Sequence, residues 1–129
     1  MCYERRFLIV WQFNNRDPVF VQIANRLRGD ILGGKYKEDC QIPSVRQIAN
    51  DASVNPNTVQ RALSLLESEG LLYSKGTVGR FVTSDVSVLD AARERMKRET
   101  VRTMLNDAAL AGITEEELIK YIKEEATRI

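Results

Sequence analysis

From Pro18 onward the apolar residues Phe20, Ile23, Ala24, Leu27 and Ile31 recur every three or four positions. That spacing places them on one face of an amphipathic helix. Asp17 offers an N-cap, Pro18 suits a first turn that needs no N–H from it, and Gly33-Gly34 ends the run. A second, shorter helix is announced by Ser44-Val-Arg-Gln47, where the Ser44 hydroxyl and the Gln47 amide can each satisfy a backbone N–H at the helix start. Val45, Ile48 and Ala49 form its apolar side. Asn55-Pro56-Asn57 opens a third helix, with Asn55 as cap and Pro56 at the first helical position. Its buried stripe is Val59, Ala62, Leu63 and Leu66, and Gly70 stops it. Leu71–Ser74 and Arg80–Thr83 then read as short strands around Lys75-Gly-Thr-Val-Gly79, whose glycines suit a hairpin loop.

After about Thr83 glycine and proline thin out and longer helical patterns begin. Residues 86–111 carry Leu89, Ala92, Met96, Thr100, Met104 and Ala108 at helical spacing, with Leu105 and Ala111 widening the stripe and Ala111-Gly112 closing it. Thr114-Glu-Glu-Glu117 is a second capping box, followed by Leu118, Ile119, Ile122, Ala126 and Ile129 on one face. Two such helices cannot cover both apolar stripes by themselves. They either fold back on the preceding residues or pair with the same hairpin of a second copy. On the second reading the dimer interface comprises Leu89, Ala92, Met96, Met104, Leu105, Ala108, Leu118, Ile119 and Ile122.

The expected fold is therefore mainly α with a small β-hairpin: a winged helix-turn-helix followed by a C-terminal two-helix dimerisation hairpin. Residues 1–16 form an N-terminal arm or strand, 17–84 the winged helix-turn-helix, and 85–129 the helical dimerisation tail. The four residues Asp51–Val54 suit the turn between the second and third helices.

Charge at first argues against a nucleic-acid partner, since the 129 residues carry a net charge of only +1. Divided by segment the picture changes. The arm is net +2, residues 17–84 hold eight basic against seven acidic groups, and the tail holds eight basic against ten acidic. With 43% hydrophobic residues the chain can bury a core. The absence of histidine excludes Ser-His-Asp and Cys-His nucleophile pairs and His-ligated metals. There is no GxSxG, P-loop or HExxH motif, and the acids sit at helix starts, where capping explains them. An enzyme, a metal and a cofactor are thus not expected. Cys2 and Cys40 form no CxxC and no disulfide framework, which fits a reducing cytoplasm. The apolar run Phe7–Trp11 is too short for a signal-peptide core or a membrane span.

The chemistry lies on the far side of the third helix. Opposite Val59 fall Asn57, Gln60, Arg61, Ser64 and Ser68, while Glu67 and Glu69 appear only in the last turn. Asn and Gln can pair with adenine through two hydrogen bonds, and Arg with guanine. Taken singly, Gln60 or Ser64 reads as solvated helix surface. Together, the first two turns lack the Lys/Glu pairs of an ordinary exposed face. Ser44 and Arg46 open the second helix, whose free N–H groups make a phosphate seat. Lys75, Thr77 and Arg80 lie on the hairpin or its flank, within reach of a DNA backbone.

Three motifs, Ile42-Pro-Ser-Val-Arg46-Gln-Ile-Ala49, Val54-Asn-Pro-Asn-Thr-Val59 and Leu66-Glu-Ser-Glu-Gly70-Leu-Leu-Tyr73, resemble the GntR family of bacterial transcription regulators. The short helical tail is similar to that of its YtrA subfamily. The resemblance implies DNA contacts from Ser44, Arg46, Asn55, Asn57, Thr58 and Gln60 and from the wing around Gly76, Thr77 and Gly79. It also implies a homodimer on a pseudo-palindromic double-stranded operator, acting as a repressor, with control of a transporter operon. Several relatives carry arginines where this chain has Pro56 and Gln60, so base preference is not transferred with the fold. The tail is too small for a large effector-binding domain. The competing reading is a winged helix that binds proteins and shows no preference among DNA sequences.

Overall fold

The computed structural model describes residues 11–129. It contains α1 (Val19–Leu32), α2 (Val45–Ala52), α3 (Pro56–Ser68), the strands β1 (Leu72–Lys75) and β2 (Gly79–Val82), α4 (Val86–Leu110) and α5 (Glu115–Ala126). One compact unit ends at Asp90 and a second spans Ala91–Ile129.

The first unit is a winged helix-turn-helix. Its core is built by α1 and α3, which pack along Ile23, Leu27 and Ile31 on one side and Val59, Leu63 and Leu66 on the other, all at most 2% exposed. Ile48 of α2 and Leu71, Val82 and Leu89 complete it. Across the α1–α3 pair, both carboxylate oxygens of Glu69 accept from the Arg28 guanidinium, at 2.6–3.2 Å.

Helix starts follow local chemistry in two of the three cases. Ser44 and Gln47 form the expected capping box on α2, and Asn55 accepts from the Asn57 N–H at 2.8 Å with Pro56 at the start of α3. α1 differs. It begins at Val19 with Pro18 as N-cap and no side-chain cap, so Asp17 does not perform that role. The Asn14 side chain instead accepts from the Arg16 and Asp17 N–H groups, at 2.9 and 3.1 Å. Gln22 reaches back, donating to the Asn14 and Asp17 carbonyls and accepting from the Asn14 N–H. The Asn14 side chain thus organises the turn that leads into α1, upstream of the helix's own free N–H groups.

Residues 11–16 contain no strand; the rest of the expected arm, residues 1–10, lies outside the described residues. Trp11 stacks on Phe13, with Arg26 5.2 Å from the Trp11 ring centre. The turn between α2 and α3 is later than expected, because α2 continues to Ala52 and Ser53 reverses the chain in the left-handed region, φ 55°.

β1 and β2 pair antiparallel with Ser74 opposite Arg80 and Lys75 opposite Gly79. Leu71 is used in the exit from α3, its N–H donating to Leu66 O, which moves the first strand one residue on. The segment before α2 adds an edge that no periodicity announced. Gln41 bridges Phe81, Ile42 N–H donates to Arg80 O, and Val82 N–H donates to Cys40 O. Cys40 is disulfide-bonded, contrary to the expectation of no disulfide.

In the second unit Thr114 and Glu117 form the expected capping box of α5, after a turn at Gly112 with φ 75°. Ala108 is buried, whereas Met104, Leu105, Ile119 and Ile122 are 41–46% exposed. Between α4 and α5 runs an open groove of about 420 Å³, lined by Thr100, Met104, Asp107, Ala108, Ile113 and Leu118 among others. Leu89 of the first unit and Ala92 of the second are already covered within one chain, at 1% and 8% exposure.

Candidate nucleic-acid interface

The N-termini of α2 and α3 each project N–H groups with no helical partner. Neither first turn contains an acid, so nothing local opposes the positive end of either helix dipole. At α2 the Ser44 hydroxyl accepts from the Gln47 N–H at 3.1 Å, which leaves its own hydrogen available to donate. Arg46 is exposed one residue into the helix. At α3 the Asn55 side chain is engaged in capping, Thr58 is half-buried, and Asn57, Gln60 and Ser64 are exposed.

The four basic residues marked out by sequence separate into two kinds. Arg46, Arg61 and Lys75 are exposed, and Arg80 is not. The Arg61 guanidinium lies over the Phe20 ring of α1, 3.9 Å from its centre, a cation–π contact that draws it toward α1. Arg80 has a side chain only 15% exposed. It donates to Glu67 through Nε and to Gln60 Oε1 through Nη1, the latter at 3.3 Å. Ser74 Oγ donates to the same Glu67 oxygen at 2.7 Å. The Ser74 hydroxyl first, and Arg80 after it, hold the Glu67 carboxyl below the usual range, against a smaller upward push from burial than the hydroxyl exerts. So the wing and α3 are joined by Gln60, Glu67, Ser74 and Arg80. Glu67 lies two helical turns beyond Gln60, hence on the same side of α3, a signal the sequence carried but only the hairpin makes legible.

The wing has its own internal supports. Tyr73 and Phe81 stack at 5.7 Å, and Lys75 Nζ lies 4.6 Å from the Phe81 ring centre. Tyr73 donates to Asp39 at 2.8 Å, which raises the Tyr73 pKa because the phenol is the donor in that bond. Gly76 turns the loop at φ 48°, and Thr77 and Val78 are exposed beside it. Gly79 has φ 138°, and a Cβ there would come within 2.6 Å of Gln41 Nε2, the atom that donates to Val78 O. Gln41, Glu67 and Ser74 are contributors that sequence reasoning did not single out. Among the described residues no cluster of His, Cys, Asp and Glu could hold a metal ion, and no helix is long and apolar enough to cross a membrane.

The family described as bacterial regulatory proteins, gntR family, matches residues 20–82. The HTH-type transcriptional repressor YtrA of Bacillus subtilis is 32% identical over 108 residues, covering 83% of this chain and 83% of that protein. A GntR family transcriptional regulator from Listeria monocytogenes has a similar structure, with a TM-score of 0.78 and 26% identity over 87% of this chain and 98% of its own. The DNA-binding domain of AraR, solved in complex with operator ORX1, superimposes with a TM-score of 0.53 and 28% identity. That match covers 57% of this chain and 93% of the AraR chain.

Proposed function

Because this chain belongs to the GntR family of transcriptional regulators, we propose that it acts as a homodimeric cytoplasmic repressor reading a pseudo-palindromic operator. The observation that carries this reading is the pair of acid-free helix starts, α2 with exposed Ser44 and Arg46 and α3 with exposed Asn57 and Gln60. In it, α2 grips phosphate through its N–H groups, Ser44 and Arg46. α3 enters the major groove and reads bases with Asn57, Gln60 and Ser64, flanked by Asn55 and Thr58. The wing adds backbone contacts from Lys75, Gly76 and Thr77. Support for DNA as the partner comes from the AraR domain bound to its operator, and support for repression from the naming of the B. subtilis relative. Exposed Met104, Leu105, Ile119 and Ile122 support pairing of two tails. Two subunits would then set their α3 helices on half-sites one or more DNA turns apart.

An electrophoretic shift assay on the DNA upstream of the chain's own coding sequence tests the proposal. A sequence-selective, salt-sensitive complex at submicromolar protein is expected, weakened tenfold or more, on the order of one lost polar contact, by Arg46→Ala or Asn57→Ala with melting temperature unchanged. Equal binding to that region and to random DNA overturns it.

A further inference from the structure

We infer that Arg80 fixes the orientation of the Gln60 amide, so that this recognition-helix glutamine turns its donating end to DNA and its oxygen to the wing; the inference deepens the operator-reading proposal and rests on it. Guanidinium is a donor only, so the amide atom facing Arg80 Nη1 at 3.3 Å must be the oxygen, as found. Arg80 is held in place by Glu67, and Glu67 by Ser74. Ser74 and Arg80 stand opposite each other in the hairpin register and so share one of its faces, the one turned to α3. With Oε1 turned to Arg80, the Nε2 hydrogens are the end that Gln60 presents to a base.

A glutamine reads adenine by accepting from N6 and donating to N7, which takes both ends of the amide. Gln60 held by Arg80 has its oxygen turned to the wing, so the donating end is the one that meets the base. Turned that way it matches the acceptors of guanine (O6 and N7) or thymine (O4) and sets a donor against the amino group of cytosine. The wing thereby acts as a specificity element through a side chain that itself touches no base. Arg80 is a positioning residue in this arrangement, and Glu67 and Ser74 position Arg80.

Selection from a randomised duplex DNA library, read by sequencing, tests this with wild type, Gln60→Ala, Arg80→Met and the double variant. The position whose preference disappears in Gln60→Ala marks the base facing Gln60. Wild type is expected to select guanine or thymine there. Arg80→Met frees the amide to turn, and adenine is expected to rise at that position by about fivefold or more, the scale of one bidentate pair. In the Gln60→Ala background, Arg80→Met is expected to change nothing at that position; the gain of adenine in the folded single variant is the readout that a purely structural role for Arg80 would not produce. If circular dichroism shows that Arg80→Met has lost the fold, Glu67→Gln, which removes the charge holding the guanidinium, is read for the same shift. A wild-type preference for adenine, or an unchanged preference in the folded clamp variant, overturns the inference and leaves operator reading intact. Failure of wild type to enrich any sequence overturns the operator reading and this inference with it.

Discussion

Raising the salt concentration from about 50 to about 200 mM counts the phosphates the protein neutralises, because each neutralised phosphate releases counterion. In this structure the count is low. Arg80 is paired with Glu67, and Arg61 is held over Phe20. Among the basic residues marked out on the proposed DNA face, this leaves Arg46 and Lys75 on each subunit, because the Arg61 guanidinium, though exposed, is turned onto the neighbouring helix, whereas Lys75 rests only on its own hairpin. A dimer bound at both half-sites would therefore neutralise about four phosphates through them, giving a log–log slope near −3.6 and roughly a 150-fold loss of affinity over that fourfold rise in salt. Arg46→Ala removes one such group per subunit and should lower the slope to about −1.8. Arg80→Met removes a cation already paired and should leave the slope where it was. Fluorescence anisotropy of a labelled operator duplex, titrated at four or five salt concentrations, reads all three. A wild-type slope of about −7 or steeper, with Arg80→Met lowering it, would refute the reasoning by showing that the paired arginine reaches phosphate after all.

Leu66→Ala, at a fully buried position of α3, should cost about 2–5 kcal/mol in urea denaturation; a loss below about 1 kcal/mol would mean the α1–α3 core closes around the gap. Gly79→Ala strains a residue at φ 138° and drives its Cβ into Gln41, so a destabilisation of about 1–3 kcal/mol and a shifted Val78 amide resonance are expected, and unchanged spectra would contradict the geometry. The Glu67 carboxyl titrates lower in the folded chain than its ordinary value of 4.5, so its contribution to stability is present above that pH and disappears as pH falls through the folded value. The stability difference between wild type and Glu67→Gln should accordingly shrink between about pH 6 and about pH 3, and a difference that grows on acidification would reverse the sign of the argument. Leu105→Glu together with Ile122→Glu, both at exposed positions, should yield monomers by light scattering with helical content retained. A dimer that survives both charges would place the subunit contact elsewhere.

The parts of this molecule legible in its sequence are those decided within one helical turn. Ser44 with Gln47, Asn55 with Asn57, and Thr114 with Glu117 are capping arrangements whose partners stand two or three residues apart, so the residues that form them also announce them. The same locality explains the miss at α1. Asp17 is a good cap by type, yet α1 starts one residue later, at Val19 with Pro18 before it, and Asp17 lies in a turn held by Asn14, which Gln22 braces from eight residues away. Arg61 shows the limit of a helical wheel. Its Cα direction is opposite Val59, as expected, but the side chain is long enough to bend onto Phe20 of the neighbouring helix.

By itself, then, the chain's pattern of apolar and capping residues determined three helices, a hairpin and a helical tail, because burial periodicity and orphan N–H groups are properties of short stretches. Which polar groups face DNA with their hydrogen-bonding capacity unspent was decided by tertiary structure. Arg80 meets Gln60 and Glu67 only because the hairpin returns against α3, across separations of 20 and 13 residues. Composition counts both arginine and glutamate as charges, but only the fold decides that they neutralise each other. What remains to meet the double helix is set by that cancellation, and no local rule of sequence could have supplied it.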